Sequence, residues 1–514
     1  MMGILRTILF AATGLAATGA AFAQQTDSAS LFRTQREHAS PVAALAATAY
    51  ATPALRSEAF AGSLSEISVG YEMRREEKAL EQQKGDGGDF GRFSAGSYKH
   101  ISGKGTVWGD AGYLRGAKRN VVWNASSDYD LVFPYVVADS IGGDLTSEEY
   151  TFGGGYGHRS GRYTWALEAG ARALHEYRDS DPRIRNVAID IDAGAGASVR
   201  MGNYRLGLSA ALRVYKQSGS QIQYAHSAGE KGVYHLSGLG SHYAGFEGNA
   251  NSQTRYRGSG YGLTLALVPD AGRGGLHLAA GDEYLHIEKE LPGSADLVLQ
   301  KVVPRSFHAE AAWLGGSGNG LRWGVALKAR YDYRRGDEGI VDDNNSSQGS
   351  GTLGFLTLFE YSALQGRAEA VFGVEAAGHA WYVCPWGEYR RRTSDYLYPA
   401  QNMEFTRAGG GVDFRCVLQR RSLLLRLEAG GGYTAGLDSG LTLPVADLAA
   451  PLVRMVQYDY GRLRQDAATF RLGLRADYAL RRRMSLFLAA DYGGGLYGDN
   501  TAAHHARVAC GIAF

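Results

Sequence analysis

Residues 162–176 read RYTWALEAGARALHE. Taken alternately, Tyr163, Trp165, Leu167, Ala169, Ala171 and Ala173 form one set, and Arg162, Thr164, Ala166, Glu168, Gly170 and Arg172 form the other. Successive side chains of a strand point to opposite faces, so this is a strand with one apolar face and one charged, glycine-bearing face. The pattern recurs. Residues 187–200 set Val187, Ile189 and Ile191 against Asp190, Asp192 and Arg200, and residues 321–333 set Leu321, Trp323, Val325 and Leu327 against Lys328, Arg330 and Asp332. Residues 468–480 set Phe470, Leu472 and Leu474 against Arg471, Arg475 and Asp477. Such segments run to about 12–14 residues, well beyond the usual strand of about 5–6. Aromatic residues near their ends match the interfacial girdles of membrane barrels.

Connections between these segments fall into two kinds. Short ones are read at 102–105, 158–161, 201–203, 269–274, 315–320, 363–366, 419–422 and 480–483. Longer ones are read at 76–88, 121–145, 178–185, 216–253, 290–304, 336–350, 384–402, 437–465 and 497–502. They alternate along the chain, which is the asymmetry of periplasmic turns and outside loops. The expectation is an all-β fold: a transmembrane antiparallel up-and-down β-barrel of about 18 strands, an even number between about 14 and 20, over residues 63–514. The last strand carries Val508, Cys510, Ile512 and Phe514 on one face, and the terminal Phe514 reads as an outer-membrane sorting signal.

Residues 1–23, MMGILRTILFAATGLAATGAAFA, carry one early arginine, an Ala/Leu-rich core and Ala21-Phe22-Ala23 before Gln24. This pattern predicts a secretory signal peptide cleaved near Ala23 and a mature chain in the outer membrane. The longest later uncharged run, residues 39–55, is short for a spanning helix and is interrupted by Pro41 and Pro53. A membrane location therefore requires a closed barrel. Residues 24–62 are too few for the large plug of a 22-stranded receptor and read as a short N-terminal segment or lumen hatch.

Composition narrows the function. With 54 Lys+Arg against 52 Asp+Glu, a nucleic-acid partner is not expected. The three cysteines make neither a disulfide framework nor a zinc site. Cys384 is expected at the start of an outside loop, with Cys416 and Cys510 on lipid-facing strand positions. No G-x-S-x-G elbow is present, and GSGNG at 316–320 lacks the Lys-Ser/Thr and following helix of a phosphate loop, so an enzyme is the disfavoured reading.

Several stretches together, VWGDAGY (107–113), KRNVVWN (118–124), DYDLVFPYVVADSIGGD (128–144), EYTFGGGYGH (149–158) and SDPRIRN (180–186), carry a family resemblance. The chain resembles an uncharacterised family of outer-membrane β-barrels of Bacteroidota known as a domain of unknown function. The resemblance implies barrel and location and carries over no functional residues.

Two features suggest a site. The outside loop at 126–144 places Asp128, Asp130 and Asp139 around Phe133, Pro134 and Tyr135. An apolar centre in a long loop implies contact, so the segment is expected to fold inward as a constriction, with packing among neighbouring loops as the alternative. The polar strand faces carry Glu168, Arg172, Asp190, Asp192, Lys328, Arg330, Asp332, Arg471, Arg475 and Asp477 as candidate lumen charges, with both signs mixed. Strong ion selectivity would favour one sign. His226, His235 and His242, with Tyr224, Tyr234 and Tyr243, lie in 216–253; their spacing matches no ligand code, and the segment reads as a solvated surface loop. No cofactor is expected. Expected partners are outer-membrane lipid, the barrel-assembly machinery and other surface uptake proteins. The expected function is passive or accessory transport of a nutrient, the alternative a structural or partner-binding barrel with a filled lumen.

Overall fold

The structure, a computed structural model, describes residues 28–219, 233–243, 253–270, 274–292, 297–316, 320–341, 352–444, 450–481 and 483–514. Eighteen strands form one antiparallel sheet in which chain neighbours pair in succession. The first, Leu64–Glu76, pairs both with Gly87–His100 and with the last, Ala502–Ala513, so the sheet closes into a barrel. Strands run from 12 to 24 residues. Both ends of the barrel lie at the rim of the short turns, where Phe514 N–H donates to Ser65 O at 2.9 Å and Ser65 N–H to Phe514 O at 2.8 Å.

The alternation decides which face each residue takes. Leu167, Ile189, Leu327 and Leu472 point outward, 44–66% exposed in the isolated chain, as an apolar band that lipid covers. Near the short-turn rim the band ends in Tyr163, Trp165, Trp313, Trp381, Tyr478 and Phe514; toward the other rim it ends in residues such as Tyr150, Tyr331, Tyr433 and Tyr492. Two aromatic girdles around an apolar belt mark an outer-membrane β-barrel. No helix among the described residues is long and apolar enough to cross a membrane.

Several connections are shorter than expected, as at 290–304, where strand resumes at Leu297, and two differ further. Residues 363–366 are not a turn but lie inside Thr352–Glu375; the turn is at 376–378. Leu364, outward, alternates there with inward Gln365 and Arg367, so the period of two overrides the loop-like Gly366. Likewise 384–402 is mostly strand. His379–Tyr396 runs through Cys384 and Pro385, and the connection is only 397–400. Proline lacks the N–H that a ladder needs, and pairing to the preceding strand lapses between Glu369–Trp386 and Phe372–Val383. The other side continues, with Pro385 opposite Val412. Cys384 therefore sits mid-strand on the inner face, opposite Asp413, whereas Cys416 points outward opposite Trp381. All three cysteines are free thiols.

Packed segments occupy the interior at both ends. Residues 28–60 form short helices inside the short-turn end: Ser28–His38, Pro41–Ala44, Ala47–Ala51 and Pro53–Arg56. Toward the other end, a second core gathers Val132, Tyr135 and Val136 from the 122–142 loop, Leu236 from Val233–Gly238, and Leu452, Met455 and Val456 from helix Pro451–Leu463.

Candidate functional site

The floor is the 28–60 segment. Pro41 and Pro53 open two of its helices, and Ser40 Oγ caps the first of these by accepting from Ala43 N–H at 3.4 Å. The segment touches the inner wall around most of its circumference. Gln35 Nε2 donates to Asp477 (3.2 Å) and Ser485 Oγ (3.0 Å), Arg415 to Ala39 O (2.8 Å), Thr48 Oγ1 to Glu310 (2.7 Å) and Tyr98 OH to Ser57 O (2.9 Å). Wall glycines make room for it. A Cβ on Gly207 would lie 2.8 Å from Leu55, and one on Gly157 would lie 2.4 Å from Ser57. Arg205, almost wholly buried, bridges Glu58 (3.2 Å) and Asp270 (2.8 Å).

The ceiling is built from three connections. Within 122–142, Val137–Asp139 pairs with Val233–Gly238, which pairs with Ser241–His242, giving a small sheet inside the mouth. The candidate constriction residues anchor it. Asp128 receives both terminal nitrogens of Arg172 (3.0 and 2.7 Å) and Tyr215 OH (2.9 Å). Asp130 meets Lys84 at 2.7 Å, and Asp139 meets Arg178 at 3.2 Å with both side chains fully buried. Phe133 lies edge-on to Phe359 at 5.5 Å, Pro134 lies beside Gly238, and the Tyr135 carbonyl accepts from Tyr256 OH at 2.8 Å.

Helix Pro451–Leu463 completes the ceiling with Leu452, Met455 and Val456. Its polar side is clamped. Asp459 accepts from Gln83 Nε2 (2.7 Å) and Gln82 N–H (3.2 Å), and Arg462 binds Asp499 (2.9 Å) and Thr501 (2.8 Å). Burial pushes the Asp459 carboxyl up to about 7. The solvated-loop expectation for 216–253 fails for its middle: His235 is fully buried, and burial, then the nearby Lys289 ammonium, holds its imidazole well below the usual histidine range. His242 packs against Tyr234 with ring centroids 5.4 Å apart, while Tyr224 and His226 lie outside the described residues. Apolar neighbours explain the burial, since Leu236 and Leu239 join the ceiling core. No group of metal-ligating side chains is assembled among the described residues.

Between ceiling and floor lie two adjoining cavities of about 860 and 680 Å³, which share Glu168, Ala211, Gly262, Glu283 and Arg330 and so form one chamber. Register explains why space remains. Gly153, Gly170 and Asp192 lie directly opposite one another on neighbouring strands, and the adjacent rung runs Glu168, Gly194, Ala211, Gly262, Glu283. Small residues at one level across several strands leave the lumen unfilled where larger ones would interdigitate.

The candidate lumen charges divide. Glu168, Arg172, Asp190, Asp192, Arg330 and Asp332 line the upper chamber, and Lys328 lines the lower. Most are paired: Asp190 with Arg213 (2.6 Å), Lys328 with Glu369 (2.7 Å), Arg330 with Asp332 (2.9 Å). Arg471, with Asp413 at 2.6 Å, and Arg475, with Glu66 and Asp477 at 2.5 and 2.8 Å, face inward elsewhere and do not line the chamber. Phe514 is remote, at the short-turn rim. Sequence reading missed Trp108, Arg334, Tyr361 and Arg392 in the chamber wall. Each occupies a polar-face position of an alternating segment, so a full tally of those faces would have included them. It also missed the ceiling helix, although Leu452, Met455, Val456 and Asp459 follow helical spacing after Pro451.

A family model matches residues 53–514, described as "Family of unknown function (DUF6850)". The chain belongs to this family. No match exists among curated proteins. Among solved structures, the chain is similar to the ferric preacinetobactin receptor BauA from Acinetobacter baumannii (9% identity, 88% of this chain and 79% of that one, TM-score 0.38). It is also similar to a mutant of the ferric enterobactin receptor PfeA from Pseudomonas aeruginosa (10% identity, 88% and 81%, TM-score 0.38). A third is the alcaligin outer-membrane receptor FauA from Bordetella pertussis (9% identity, 86% and 76%, TM-score 0.35).

Proposed function

We propose that this DUF6850 protein is a gated uptake barrel of the outer membrane, which receives a small polar nutrient in its internal chamber and releases it through the floor. The observation that carries this reading is a polar chamber kept open by small wall residues yet bounded by a packed ceiling and floor. A barrel serving only as a scaffold has no need of it, since bulky side chains on Gly153, Gly170, Gly194 and Gly262 would stiffen the lumen. Its two parts, about 860 and 680 Å³, each lie within the range of about 300–1,000 Å³ typical of small-molecule sites.

On this reading the mature chain starts after Ala23, residues 28–60 act as a hatch, and the 122–142 loop is part of the outer gate. Outer-membrane lipid, the assembly machinery and other surface uptake proteins are its partners, and the chain moves a solute instead of transforming it. The test is to fill the chamber. At Gly194 an added Cβ meets nothing closer than 3.4 Å, and at Gly262 nothing closer than 3.9 Å, so both can carry a larger side chain. Through transient opening of ceiling and floor, proteoliposomes holding the wild type are expected to take up small labelled polar solutes slowly, and Gly194→Phe/Gly262→Phe to abolish that uptake while the barrel still folds. Equal uptake by the filled variant, or none by the wild type, would leave the structural-barrel reading standing.

A further inference from the structure

Charge is balanced over the whole chain, with 54 Lys+Arg against 52 Asp+Glu, but not at the short-turn rim. Five of the eight short turns, taken with their flanking residues as 98–106, 157–163, 199–205, 418–424 and 479–485, hold eleven Lys or Arg and no Asp or Glu. The other three supply two acidic side chains, and both are already engaged. Asp270 meets Arg200 (2.7 Å) and Arg205 (2.8 Å), and Glu375 meets Arg322 (3.3 Å). Lys99, Lys104, Arg159, Arg162, Arg420 and Arg421 are left exposed, with no ion pair among the described residues. Outside these five turns the chain carries an acidic excess. At the opposite rim the signs are interspersed: Arg75 and Arg119 both meet Asp89 at 2.6 Å, and Lys301 meets Glu288 at 3.0 Å.

The unpaired cations stand at the level of lipid headgroups. The aromatic girdle of the same rim marks the membrane interface. The Arg162 guanidinium lies 4.8 Å from the ring centre of girdle Tyr163. Arg420 lies four residues beyond Cys416, which pairs with girdle Trp381. At about 3.3 Å per residue and a tilt of about 40°, that is about 10 Å in height. A headgroup layer is about 5–7 Å deep, and long cationic side chains reach back toward it along their stems. The cations are spread over several hairpins around the barrel and are not gathered in one concavity. That spread fits a planar array of anionic headgroups better than a single folded ligand.

We propose that the short-turn rim is a docking surface for anionic phospholipids of the leaflet it enters, with the six unpaired cations meeting headgroups that carry net negative charge. This concerns how the barrel is held in its membrane and does not depend on what the chamber carries. A Lys or Arg near an anionic membrane surface contributes roughly a fivefold preference, which salt screens.

The tryptophans of the lipid face supply the readout. Trp165, Trp313, Trp323 and Trp381 all lie at this rim, whereas Trp108 and Trp386 face the lumen and Trp123 packs in the ceiling core. The full mature chain is refolded into vesicles of mixed phosphatidylcholine and phosphatidylglycerol, one of the two carrying brominated acyl chains, and tryptophan quenching gives their relative affinity. The wild type is expected to prefer phosphatidylglycerol about fivefold in about 0.05 M salt and less than about twofold in about 1 M salt. Changing all six cations to Gln should remove the preference, while Arg115→Gln/Arg119→Gln, at the opposite rim, should leave it at the wild-type level. Lys99→Gln/Lys104→Gln and Arg420→Gln/Arg421→Gln should each lower it, and together with the salt series they carry the test if the sixfold variant fails to fold. No preference in the wild type, a preference unchanged by salt, or full preference in the sixfold variant or in both pairs would overturn the proposal. Tripolyphosphate binding to the detergent-solubilised barrel, with no lipid preference in vesicles, would assign the cations to a soluble phosphate and overturn it as well.

Discussion

Replacing Asp139 by Ala should open the ceiling while leaving the barrel intact. Asp139 and Arg178 form an ion pair with both side chains fully buried, and Asp139 Oδ1 also accepts from the N–H groups of Ile141 (3.1 Å) and Gly142 (2.6 Å). Arg178 Nη1 additionally donates to Pro182 O and Nη2 to Val121 O, both at 3.4 Å. These contacts join the returning end of the 122–142 loop to the rim of two hairpins. Truncating one member of a buried pair leaves an uncompensated charge and costs about 3–5 kcal/mol. The two freed backbone N–H groups can turn to water once the loop lifts, so the lower half of that range is expected. At about 1.4 kcal/mol per factor of ten, 3 kcal/mol raises the open population of the loop by roughly a hundredfold. Hydrogen exchange of amides 130–138 reads that population, while the wall strand Tyr163–Tyr177 serves as internal control. Asp139→Ala/Arg178→Met should recover most of the loss, because no charge then remains buried. Exchange within a factor of three of wild type in the single variant would refute the claim that this pair holds the ceiling.

Three further outcomes follow. Leu327→Arg, on the lipid face, should destabilise the folded barrel in lipid by about 2–4 kcal/mol, whereas Arg471→Lys, a half-exposed lumen position paired with Asp413, should change it by less than about 0.5 kcal/mol, both read by urea titration in vesicles. Because burial raises the Asp459 carboxyl to about 7 from an ordinary value near 3.9, the docked ceiling helix favours the protonated acid. Its docking therefore weakens as pH climbs from about 4 to about 7 and is level above that, and a spin label at exposed Gln457 should gain mobility over that window in the wild type but not in Asp459→Asn. Cys416 and Cys510 should react with a membrane-partitioning maleimide and Cys384 should not, and intact mass should show three free thiols; a Cys384–Cys416 bridge would contradict their opposite faces.

The barrel was legible because the side-chain period of two is local. Glu168 and Arg172 alternate with Trp165, Leu167 and Ala169 within a few residues, and no distant information is needed to place them on opposite faces. The errors came where punctuation residues sit inside a strand. Gly366 and Pro385 look like breaks, yet the long ladders of strands on either side hold them extended. The chamber was not legible at all. It exists because Gly153 and Gly170 come level on one rung and Gly194, Ala211 and Gly262 on the next, and those levels are fixed by registers, which depend on every turn between them. The inward fold of Asp128–Asp139 could be anticipated from its apolar centre, but its partners Val233–Gly238 and Pro451–Leu463 are distant in sequence, and only the closed barrel brings them to one mouth.

Single-channel recording in planar bilayers addresses the central claim, a chamber shut at both ends, most directly. The wild-type barrel is expected to show no steady conductance, and variants lacking either residues 28–60 or residues 129–138 alone to stay mostly closed, because the remaining barrier still spans the lumen. A variant lacking both should conduct steadily while retaining the folded barrel. Steady open conductance in the wild type, or silence in a correctly folded double deletion, would contradict a chamber enclosed between ceiling and floor.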